Sequence, residues 1–558
     1  MAHEESRVSA KKASGGATRR ELFQIGNALV WPVLLGAPAA KGATTGPLTP
    51  GPEIYQSIGV EPVINCRGTF TIIGASVETP ETRAAMEYAA RYFVQYDELA
   101  EGVGRRLAEL TGAEWGMVSA GCAAGLKHVT AACVAGGNPE KLIRIPDLAG
   151  FDKTEVVIPR SSRSVYDHAV RNIGVKIIVV DTADELADAL SPRTAMVYLT
   201  AGGPSVSGPL SLENVAALAK PRGIPVLVDA AAENLTIPNV HLERGATVVA
   251  YSGGKAIRGP QCSGLLLGRK DILMSAWQAS SPHHGPGRDN KVGREEMLGL
   301  LAAVEAWVTR DHDAEWKKWL SYLDTISKRV SAIDGIETAV REPMGLSNHS
   351  PTLVVSWDPA KLHVTGEEIA EELARTKPRI ALAGGEGGGR NRHEPDNGKT
   401  SISITAWMMQ PGDDKIVADR IHEVLSIKRS PRPEPAAPET NLSGRWDVNV
   451  EFFSSKSQHV LFLQQDGGRV NGSHKSDFSV RDVQGTIEGG QIKLRSNTGE
   501  RGSGDSTPYI FAGTVSGDAF GGTLYMGEYL NAKFTATRRP YAAGSSPIVL
   551  PGGPPLAN

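Results

Sequence analysis

The stretch PVLVDAAAENLTIPNVHLERGATVVAYSGGK, residues 225–255, decides the fold expected of this chain. It opens with the apolar run 225–229, which ends in Asp229, and it closes with a second apolar run, 247–250, followed by a glycine turn that carries Lys255. Apolar runs without polar alternation are typical of strands that are buried on both faces of a parallel sheet. The acid therefore ends one buried strand, and the lysine follows the next.

Lys255 stands 26 positions after Asp229 (255 minus 229). Pyridoxal phosphate chemistry needs this pair: the lysine forms a Schiff base with the cofactor, and the carboxylate keeps the pyridine nitrogen protonated so that the ring accepts electrons. Either residue alone is common in α/β proteins, so the order, the spacing and the context carry the inference. The sequence predicts pyridoxal 5'-phosphate as the cofactor, with Lys255 and Asp229 both catalytic and cofactor-binding.

The surrounding chain alternates strand-like and helix-like segments. Further apolar runs rich in Val and Ile lie at 155–158, 175–180, 194–199 and 264–268, with helical patterns at 182–190 and 211–219. This alternation predicts an α/β fold with a mostly parallel sheet covered by helices on both sides. Ligands bind such sheets at the carboxyl ends of the strands, where Asp229 falls.

A second motif predicts the cofactor's phosphate site. SAGCAAG at 119–125 follows the strand-like run 115–118 and opens a helical stretch. Backbone amides at a helix N-terminus bind anions, and the helix dipole assists them. The phosphate-binding candidates are Ser119, Gly121, Cys122, Ala123 and the hydroxyl of Ser252.

Composition bounds the function classes. The chain has 558 residues, of which 41% are hydrophobic, which at roughly 150 residues per domain allows three or four domains. The formal net charge is only -3 and the 59 basic residues are scattered, so no nucleic-acid partner is expected. The four cysteines show no metal spacing, so we interpret them as free thiols and predict no metal site.

The N-terminus resembles a twin-arginine export signal. TRRELF at 18–23 is followed by a short apolar stretch, 25–35, and by the small residues 37–39. The stretch is too short to span a bilayer, for which about 20 residues are needed, so no stable membrane span is expected. The prediction is export to the periplasm, with a cytoplasmic location as the alternative if the signal does not function.

Composition shifts define the predicted domains. The signal and a disordered arm occupy 1–50, a large cofactor-binding domain 51–310, and a small α/β subdomain 311–429. A proline-rich linker at 430–441 leads to an antiparallel β-barrel or sandwich at 442–538, where alternating segments are punctuated by glycine turns. The remaining 539–558 is rich in Pro and Gly and is predicted to be disordered.

Seven motifs in order carry a family resemblance, over roughly residues 55–425. They are INCRGT at 64–69, ELTGAE at 109–114, SAGCAAG at 119–125, YDHAVR at 166–171, VDAAAE at 228–233, SGGKAIRGPQ at 252–261 and GRDNKVGREE at 287–296. The catalytic body resembles the branch of fold-type-I, aminotransferase-like pyridoxal phosphate enzymes that includes selenocysteine synthase (L-seryl-tRNA selenium transferase) and D-glucosaminate-6-phosphate ammonia-lyase.

The resemblance implies further site residues and partners. His168 is expected to stack on the cofactor ring or relay a proton. A cationic group is expected to bind a small, anionic, amino-acid-like substrate, and its members are Arg67, Arg258, Arg288, Lys291 and Arg294. A homodimer or larger homo-oligomer is also implied, because enzymes of this fold complete their sites with residues of a neighbouring subunit.

Together these features predict an enzyme acting at Cα of an amino acid or amino sugar acid, by α,β-elimination of the ammonia-lyase type. Racemase, aldolase and selenium transferase-like activities are the alternatives, because the same chemistry at Cα serves them. Transfer-RNA is disfavoured as a substrate by the near-neutral charge. An alternative of another class is a non-catalytic binding protein that uses the C-terminal β domain.

Overall fold

The computed structural model describes residues 46–386, 398–431, 433–496, 507–527 and 529–540 of the protein. These residues form two compact units, a body of residues 46–430 and a second unit that begins at Pro431. The twin-arginine motif and the C-terminal residues 541–558 lie outside the described residues.

Fifteen helices are numbered here in chain order. They are α1 (Ile54–Ser57), α2 (Pro80–Ala89), α3 (Tyr96–Thr111), α4 (Cys122–Ala135), α5 (Pro139–Leu142), α6 (His168–Arg171), α7 (Ala183–Ala189), α8 (Leu212–Ala219), α9 (Val240–Glu243), α10 (Lys270–Gln278), α11 (Arg294–Thr309), α12 (His312–Val330), α13 (Pro359–Leu362), α14 (Gly366–Arg375) and α15 (Asp413–Leu425), all within the described residues. Local signals start them: Thr79, for example, caps α2 by accepting a hydrogen bond from the Thr82 amide, and Pro80 occupies the first turn.

The strands of the body are β1 (Ile64–Asn65), β2 (Trp115–Ser119), β3 (Glu155–Pro159), β4 (Lys176–Val180), β5 (Thr194–Thr200), β6 (Val226–Asp229), β7 (Val248–Ser252), β8 (Gly264–Gly268), β9 (Glu337–Arg341), β10 (Thr352–Trp357), β11 (Ile380–Ala381), β12 (Ala383–Glu386) and β13 (Thr400–Thr405). Those of the second unit are β14 (Gly444–Glu451), β15 (Lys456–Asp466), β16 (Arg469–Lys475), β17 (Val480–Glu488), β18 (Gln491–Ser496), β19 (Tyr509–Ser516), β20 (Ala519–Met526) and β21 (Tyr529–Arg539).

Seven strands of the body form one sheet in the order β2-β8-β7-β6-β5-β3-β4. Strands β3 to β7 pair in parallel, whereas β8 runs antiparallel to both β2 and β7. Every residue of β3, β6 and β8 is buried, including Glu155 and Asp229 at the ends of two of them, as expected of strands covered on both faces. The predicted α/β fold with a mostly parallel sheet is confirmed.

A second core belongs to a smaller sheet in the order β12-β13-β10-β9, which is antiparallel throughout. Helices α12, α14 and α15 pack around it. An N-terminal segment joins this core: β1 pairs in parallel with β11, and the fully buried Cys66 lies among the core residues. From the sequence we predict that this segment belongs to the large domain, because a two-residue strand that pairs more than 300 positions away leaves no local signal.

The second unit contains a closed antiparallel barrel of the eight strands β14 to β21, each paired with its neighbour in sequence. Pairing of β14 with β21 closes it. Three predicted hairpin turns have their glycines at positive φ, namely Gly467, Gly489 and Gly517. The C-terminal β domain is therefore a barrel and not a sandwich. A further turn, at Gly527, reverses the chain between β20 and β21.

Candidate active site

The candidate active site lies at the carboxyl edge of the seven-stranded sheet. Neighbouring strands β5, β6 and β7 run in parallel, and Asp229 lies in register with Thr200 on one side and with Ala250 on the other. Since the carboxyl ends of parallel strands meet at one edge, Asp229 and the turn after β7 come together there. Two residues 26 positions apart in sequence thus become neighbours.

Asp229 is buried, with 6% of its surface exposed, and it accepts three hydrogen bonds. The Tyr198 hydroxyl donates to Oδ2 at 2.8 Å, the Ala231 amide donates to Oδ1 at 3.1 Å, and the Cys122 thiol lies 3.6 Å from Oδ1. Burial raises the pKa of Asp229, and these donors and the charge of Lys255 oppose that rise. Fixed donors stabilise a carboxylate that the apolar core disfavours.

Tyr198 and Cys122 remain protonated beside this acid. Burial, and then the negative charge of Asp229, raises the pKa of both groups well above the ordinary values. Both therefore act as hydrogen-bond donors. Sequence reasoning missed Tyr198 as a partner of Asp229, although a single tyrosine in the otherwise aliphatic strand β5 is a signal, because a buried hydroxyl requires a partner.

Lys255 follows β7 on a tight turn. Its amide donates to the Ser252 carbonyl at 3.3 Å, and its side chain is half-buried. Within the described ranges no hydrogen bond is formed by its Nζ, yet its charge lowers the pKa of Asp229 and that of Cys122. The amine is thus close to the buried acid and available to react.

Glycines fix the turn that carries Lys255. A Cβ added at Gly253 would lie 2.1 Å from the Ser263 Oγ, and one added at Gly254 would lie 2.5 Å from the Gln261 Cα. Side chains at either position would collide with residues 261–263, the segment that leads into β8. The turn therefore holds the lysine in place by close backbone packing.

The N-terminus of α4 provides the predicted anion site. Gly121 caps this helix at φ 102° without any side-chain cap, so the first amides, those of Cys122 and Ala123, keep their donors free of such a partner. Strand β8 packs directly beneath: a Cβ at Gly264 would lie 2.5 Å from the Gly121 carbonyl carbon. The 14-residue α4 is almost wholly buried, so its position is rigid.

The side chain of Ser119 supports this loop through contacts with backbone carbonyls. Its hydroxyl donates to the Gly121 carbonyl at 2.9 Å and lies 3.3 Å from the Gly264 carbonyl. Ser119 therefore orders the segment that presents the amides. Ser252 is half-buried and ends β7, three residues before Lys255.

His168 is exposed and begins the short helix α6. The segment around it is organised by the buried Asp167, which accepts hydrogen bonds from Arg163 and Arg171. No contact within the described part of the chain joins His168 to Asp229 or Lys255. Its role at the cofactor stays a prediction.

Members of the predicted cationic group have hydrogen-bond partners of their own, and their role in substrate binding stays a prediction. Arg258 donates to the Val77 carbonyl at 2.9 Å, and Arg288 donates to the Ser281 hydroxyl at 3.2 Å. Lys291 is exposed. Of these three, Arg258 belongs to the turn that carries Lys255.

Arg294 and Arg67 have local partners. The Arg294 guanidinium donates to the carbonyls of Ala89 and Ala90, at the C-terminus of α2, where positive charge is favoured. The Arg67 guanidinium lies 4.5 Å from the centre of the Phe70 ring. Arg294 thus fixes α2 on α11, and a contact with substrate stays a prediction for both arginines.

The described residues also bear on metal binding, membrane spans and the state of the cysteines. The described ranges contain no group of three or more His, Cys, Asp and Glu side chains placed to hold a metal ion. In the same ranges no helix combines the length and apolar character that a bilayer span demands. All four cysteines are free thiols, of which Cys262 is exposed.

Comparison with known proteins gives consistent results. A family model described as Cys/Met metabolism PLP-dependent enzyme matches residues 62–289. The chain is 31% identical over 301 residues to D-glucosaminate-6-phosphate ammonia lyase of Salmonella typhimurium (strain 14028s / SGSC 2262), covering 52% of this chain and 79% of that relative. It is also 31% identical over 341 residues to 5'-C-glycyluridine monooxygenase-decarboxylase of a Streptomyces species, covering 59% and 83%.

A solved structure agrees with the sequence comparisons. The structure of D-glucosaminate-6-phosphate ammonia-lyase superposes with a TM-score of 0.59 and 26% identity, covering 67% of this chain and 98% of that one. A more distant relative, L-seryl-tRNA(Sec) selenium transferase of Hyphomonas neptunium (strain ATCC 15444), is 28% identical over 58% of this chain and 71% of its own.

Proposed function

The chain belongs to the pyridoxal phosphate-dependent enzymes of the Cys/Met metabolism family, and we propose that it is a lyase that removes a β-substituent from an amino acid or amino sugar acid. The observation that carries the proposal is the meeting of Lys255 with the buried Asp229 at the sheet edge. Nearly the whole length of a solved ammonia-lyase superposes on this chain, which favours elimination over the other fates at Cα.

The residues present fit pyridoxal phosphate. An aldehyde needs an accessible amine, which the half-buried Lys255 offers with no hydrogen bond to its Nζ from the residues described. A pyridinium nitrogen needs a carboxylate, and Asp229 is held by fixed donors. A phosphate needs clustered amides, and the N-terminus of α4 presents them without a side-chain cap.

When bound, the cofactor supplies an electron sink that acidifies the Cα–H bond of an attached amino acid. Lys255 then serves as the base that takes the proton from Cα, because it is the free amine beside the acid. Its turn is held by the close packing of Gly253 and Gly254, which limits the positions that Nζ can reach. The same amine can return a proton to the leaving group or to Cα.

Asp229 keeps the pyridine nitrogen protonated. A buried carboxylate raises the pKa of a cation next to it, and the Tyr198 hydroxyl keeps the carboxylate itself ionised. Cys122 contributes the second side-chain donor. These three residues therefore set how strongly the ring nitrogen holds its proton.

Absorbance of the purified protein tests the cofactor assignment. Wild-type protein is expected to show a visible band from a lysine-linked cofactor, and Lys255→Ala is expected to lose it. Lys270→Ala, which removes an exposed lysine of α10, is the control and should retain the band. A band that survives in Lys255→Ala contradicts the assignment of this lysine.

A substrate screen tests the reaction. D- and L-amino acids and amino aldonic acids are incubated with the enzyme in deuterated water, and release of keto acid and ammonia is measured together with exchange at Cα. Keto acid release that depends on Lys255 supports the lyase. Exchange without release indicates a racemase, and uptake of dioxygen with loss of carbon dioxide indicates chemistry like that named for the Streptomyces relative.

A further inference from the structure

Two buried histidines, His459 and His474, lie inside the barrel near the end where β16 leads into β17. Their side chains are 1% and 0% exposed. They point inward, because each lies opposite a buried apolar residue in the strand pairing, Val448 for the first and Leu461 for the second. The two rings thus bring titratable groups into the barrel core, where a charge is costly.

A chain of close polar contacts joins the two rings to their neighbours. His474 Nδ1 lies 3.0 Å from the Ser496 hydroxyl, and His474 Nε2 lies 3.0 Å from His459 Nδ1. The last nitrogen, His459 Nε2, is buried and has no hydrogen-bond partner among the described residues, but an oxygen of Asp477 lies 3.7 Å away. The chain therefore starts at the end of β18, crosses β16 and β15, and ends at a carboxylate in the loop 476–479.

The carboxylate of Asp477 decides where the hydrogens of this chain lie. A neutral imidazole has one N–H and one acceptor nitrogen, whereas a carboxylate only accepts. We therefore place the hydrogen of His459 on Nε2, facing Asp477. His459 Nδ1 then accepts from His474 Nε2, and His474 Nδ1 accepts from the Ser496 hydroxyl. With this assignment every contact in the chain has a donor and an acceptor while both rings are uncharged.

This arrangement accommodates one added proton but not a second. The first can enter at His474 Nδ1 if the Ser496 hydroxyl turns to accept from it. A second would set N–H against N–H across the 3.0 Å between the rings, where neither group can accept. Even the first proton is unfavourable, because it places a charge in the barrel core. Acid therefore acts against the closed arrangement of the pair.

Charged and titratable groups reach the pair from three elements. Arg481 of β17 lies opposite His474 in the strand pairing, Tyr509 of β19 meets both rings edge-on, and Asp477 belongs to the loop 476–479. Burial lowers the pKa of both histidines. Asp477 opposes this effect at His459, whereas the charges of His459 and Arg481 add to it at His474, whose pKa falls to about 3. Both rings are therefore uncharged at neutral pH.

We propose that the histidine pair is an acid-sensitive switch for this end of the barrel. At neutral pH the uncharged rings hold β15, β16 and β18 together. In acid, protonation separates the rings, and the strand ends beside the loop 476–479 open. The opposite end stays closed, because it is formed by tight turns at Gly467, Gly489 and Gly517 and carries no histidine. The switch is independent of the proposed function, since all of its groups lie in the second unit.

The size of the effect follows from the proton that an opened ring takes up. A ring that stays uncharged when closed, and has an ordinary pKa near 6.5 when opened, favours the open form by roughly thirtyfold at pH 5 and hardly at all at pH 7.5. The closed end is therefore fully stable above pH ~6.5 and loses stability as the pH falls below that value.

Hydrogen exchange of the full-length, cofactor-loaded protein, followed by mass spectrometry at pH 7.5 and pH 5, tests the proposal. Protection, corrected for the pH dependence of chemical exchange, is expected to fall by about tenfold or more for the amides of 457–461 and 471–475. The amides of 464–469 and 486–492, at the opposite end, should keep theirs. A smaller fall at the histidine end, or an equal fall at both ends, overturns the proposal in the wild type alone.

A double variant assigns the opening to the pair. His459→Leu combined with His474→Leu removes both titratable rings, so protection at the histidine end is expected to be the same at pH 5 as at pH 7.5. His284→Leu, which changes an exposed histidine of the body, is the control and should open in acid like the wild type. Acid opening that persists in a folded double variant overturns the assignment. If the double variant does not fold, the comparison of the two barrel ends in the wild type decides.

Discussion

At the scale of single residues, the site is organised by what surrounds Asp229. A carboxylate with 6% exposure is costly to ionise, and burial accordingly raises its pKa. The Tyr198 hydroxyl and the Ala231 amide offset that cost because strand β5 fixes the first and the turn after β6 fixes the second before any ligand binds. The acid is therefore ready to meet a cation.

Removing the tyrosine hydroxyl tests this arrangement. Tyr198→Phe deletes one hydrogen bond to a buried carboxylate, worth roughly 1.5 to 3 kcal/mol, so we expect exchange at Cα to slow by about tenfold or more while the cofactor band remains. The rate of exchange at Cα is measured with a reacting substrate in deuterated water, and the cofactor band is measured by absorbance.

The matched control is Tyr251→Phe. Tyr251, on strand β7, is equally buried, but its hydroxyl accepts a hydrogen bond from the Asn239 side-chain amide at 2.8 Å and has none with Asp229 among the described residues. The Tyr251→Phe variant should be less stable than the wild type and should keep the wild-type rate of exchange at Cα. Equal slowing in the two variants would mean that packing, and not the bond to Asp229, sets the rate.

His128 gives a prediction about pH. It is fully buried in α4, neither ring nitrogen has a hydrogen-bond partner among the described residues, and burial lowers its pKa to about 4. The unfolded chain, with a value near 6.5, binds the proton more readily, so stability is complete above pH ~6.5 and is lost as pH falls toward 4. The loss should reach roughly 3 kcal/mol.

His128→Leu is expected to remove this part of the acid sensitivity. Thermal unfolding midpoints at pH 7.5 and pH 5 should differ less in this variant than in the wild type. His284→Leu, which changes an exposed histidine, should retain the wild-type difference. An unchanged difference in His128→Leu shows that other groups govern acid stability.

At the scale of elements, the packing of α4 on β8 positions the anion site. The start of α4 lies against β8 because Gly264 has no Cβ, which would otherwise lie 2.5 Å from the Gly121 carbonyl carbon. Antiparallel β8 is inserted between β2 and β7, so the strand before α4 and the strand before Lys255 share one neighbour. A single strand thereby links the predicted phosphate and amine sites.

Gly264→Ala tests that link. The added Cβ would lie 2.5 Å from the Gly121 backbone, which neither segment can avoid without moving. We expect the affinity for pyridoxal phosphate to fall by about tenfold or more, with a stability loss of roughly 1 to 3 kcal/mol from overpacking. Titration of cofactor-free protein with the cofactor measures the affinity.

Gly136→Ala provides the comparison at the other end of α4. Gly136 has a positive φ of 61°, and no atom lies within 4 Å of an added Cβ. The substitution therefore costs backbone strain alone, about 1 kcal/mol. Its cofactor affinity should match that of the wild type. Equal affinity losses at both glycines would place the cause in general destabilisation of the helix.

At the scale of the whole molecule, the barrel and the body have separate cores. The barrel core runs from Leu442 to Ala536, and none of its members belongs to the two cores of the body. Every residue proposed to bind the cofactor lies in the body. The predicted homodimer remains a prediction, which sedimentation of the full chain measures.

A chain that ends after Ser430 should therefore retain the Lys255-dependent absorbance band. The reason is that its cores are closed without the barrel, as the separate clusters show. Absorbance and the thermal midpoint of this shortened chain, compared with those of the full chain, are the measurements. A soluble shortened protein that binds no cofactor contradicts the independence of the body.

The sequence alone determined the parallel sheet, the positions of Asp229 and Lys255 at the ends of neighbouring strands and the glycine before α4, because each depends on local order: apolar runs, glycine turns and a helix start. Phosphate binding at α4 stays a prediction. The same locality explains why the barrel strands and their turns were predictable, whereas closure into a barrel was not. Closure is decided by pairing between β14 and β21, which no local pattern encodes.

Only the tertiary structure decided which side chains meet. Tyr198 reaches Asp229 from the neighbouring strand, and Arg310 joins Arg258 beside the lysine turn although 52 positions (310 minus 258) separate them. It also gave Arg294 a partner that the sequence did not predict, the carbonyls at the C-terminus of α2. Strand register and helix packing set these contacts, and both arise from burial of the whole core, so a residue's type and spacing in sequence do not fix its partner.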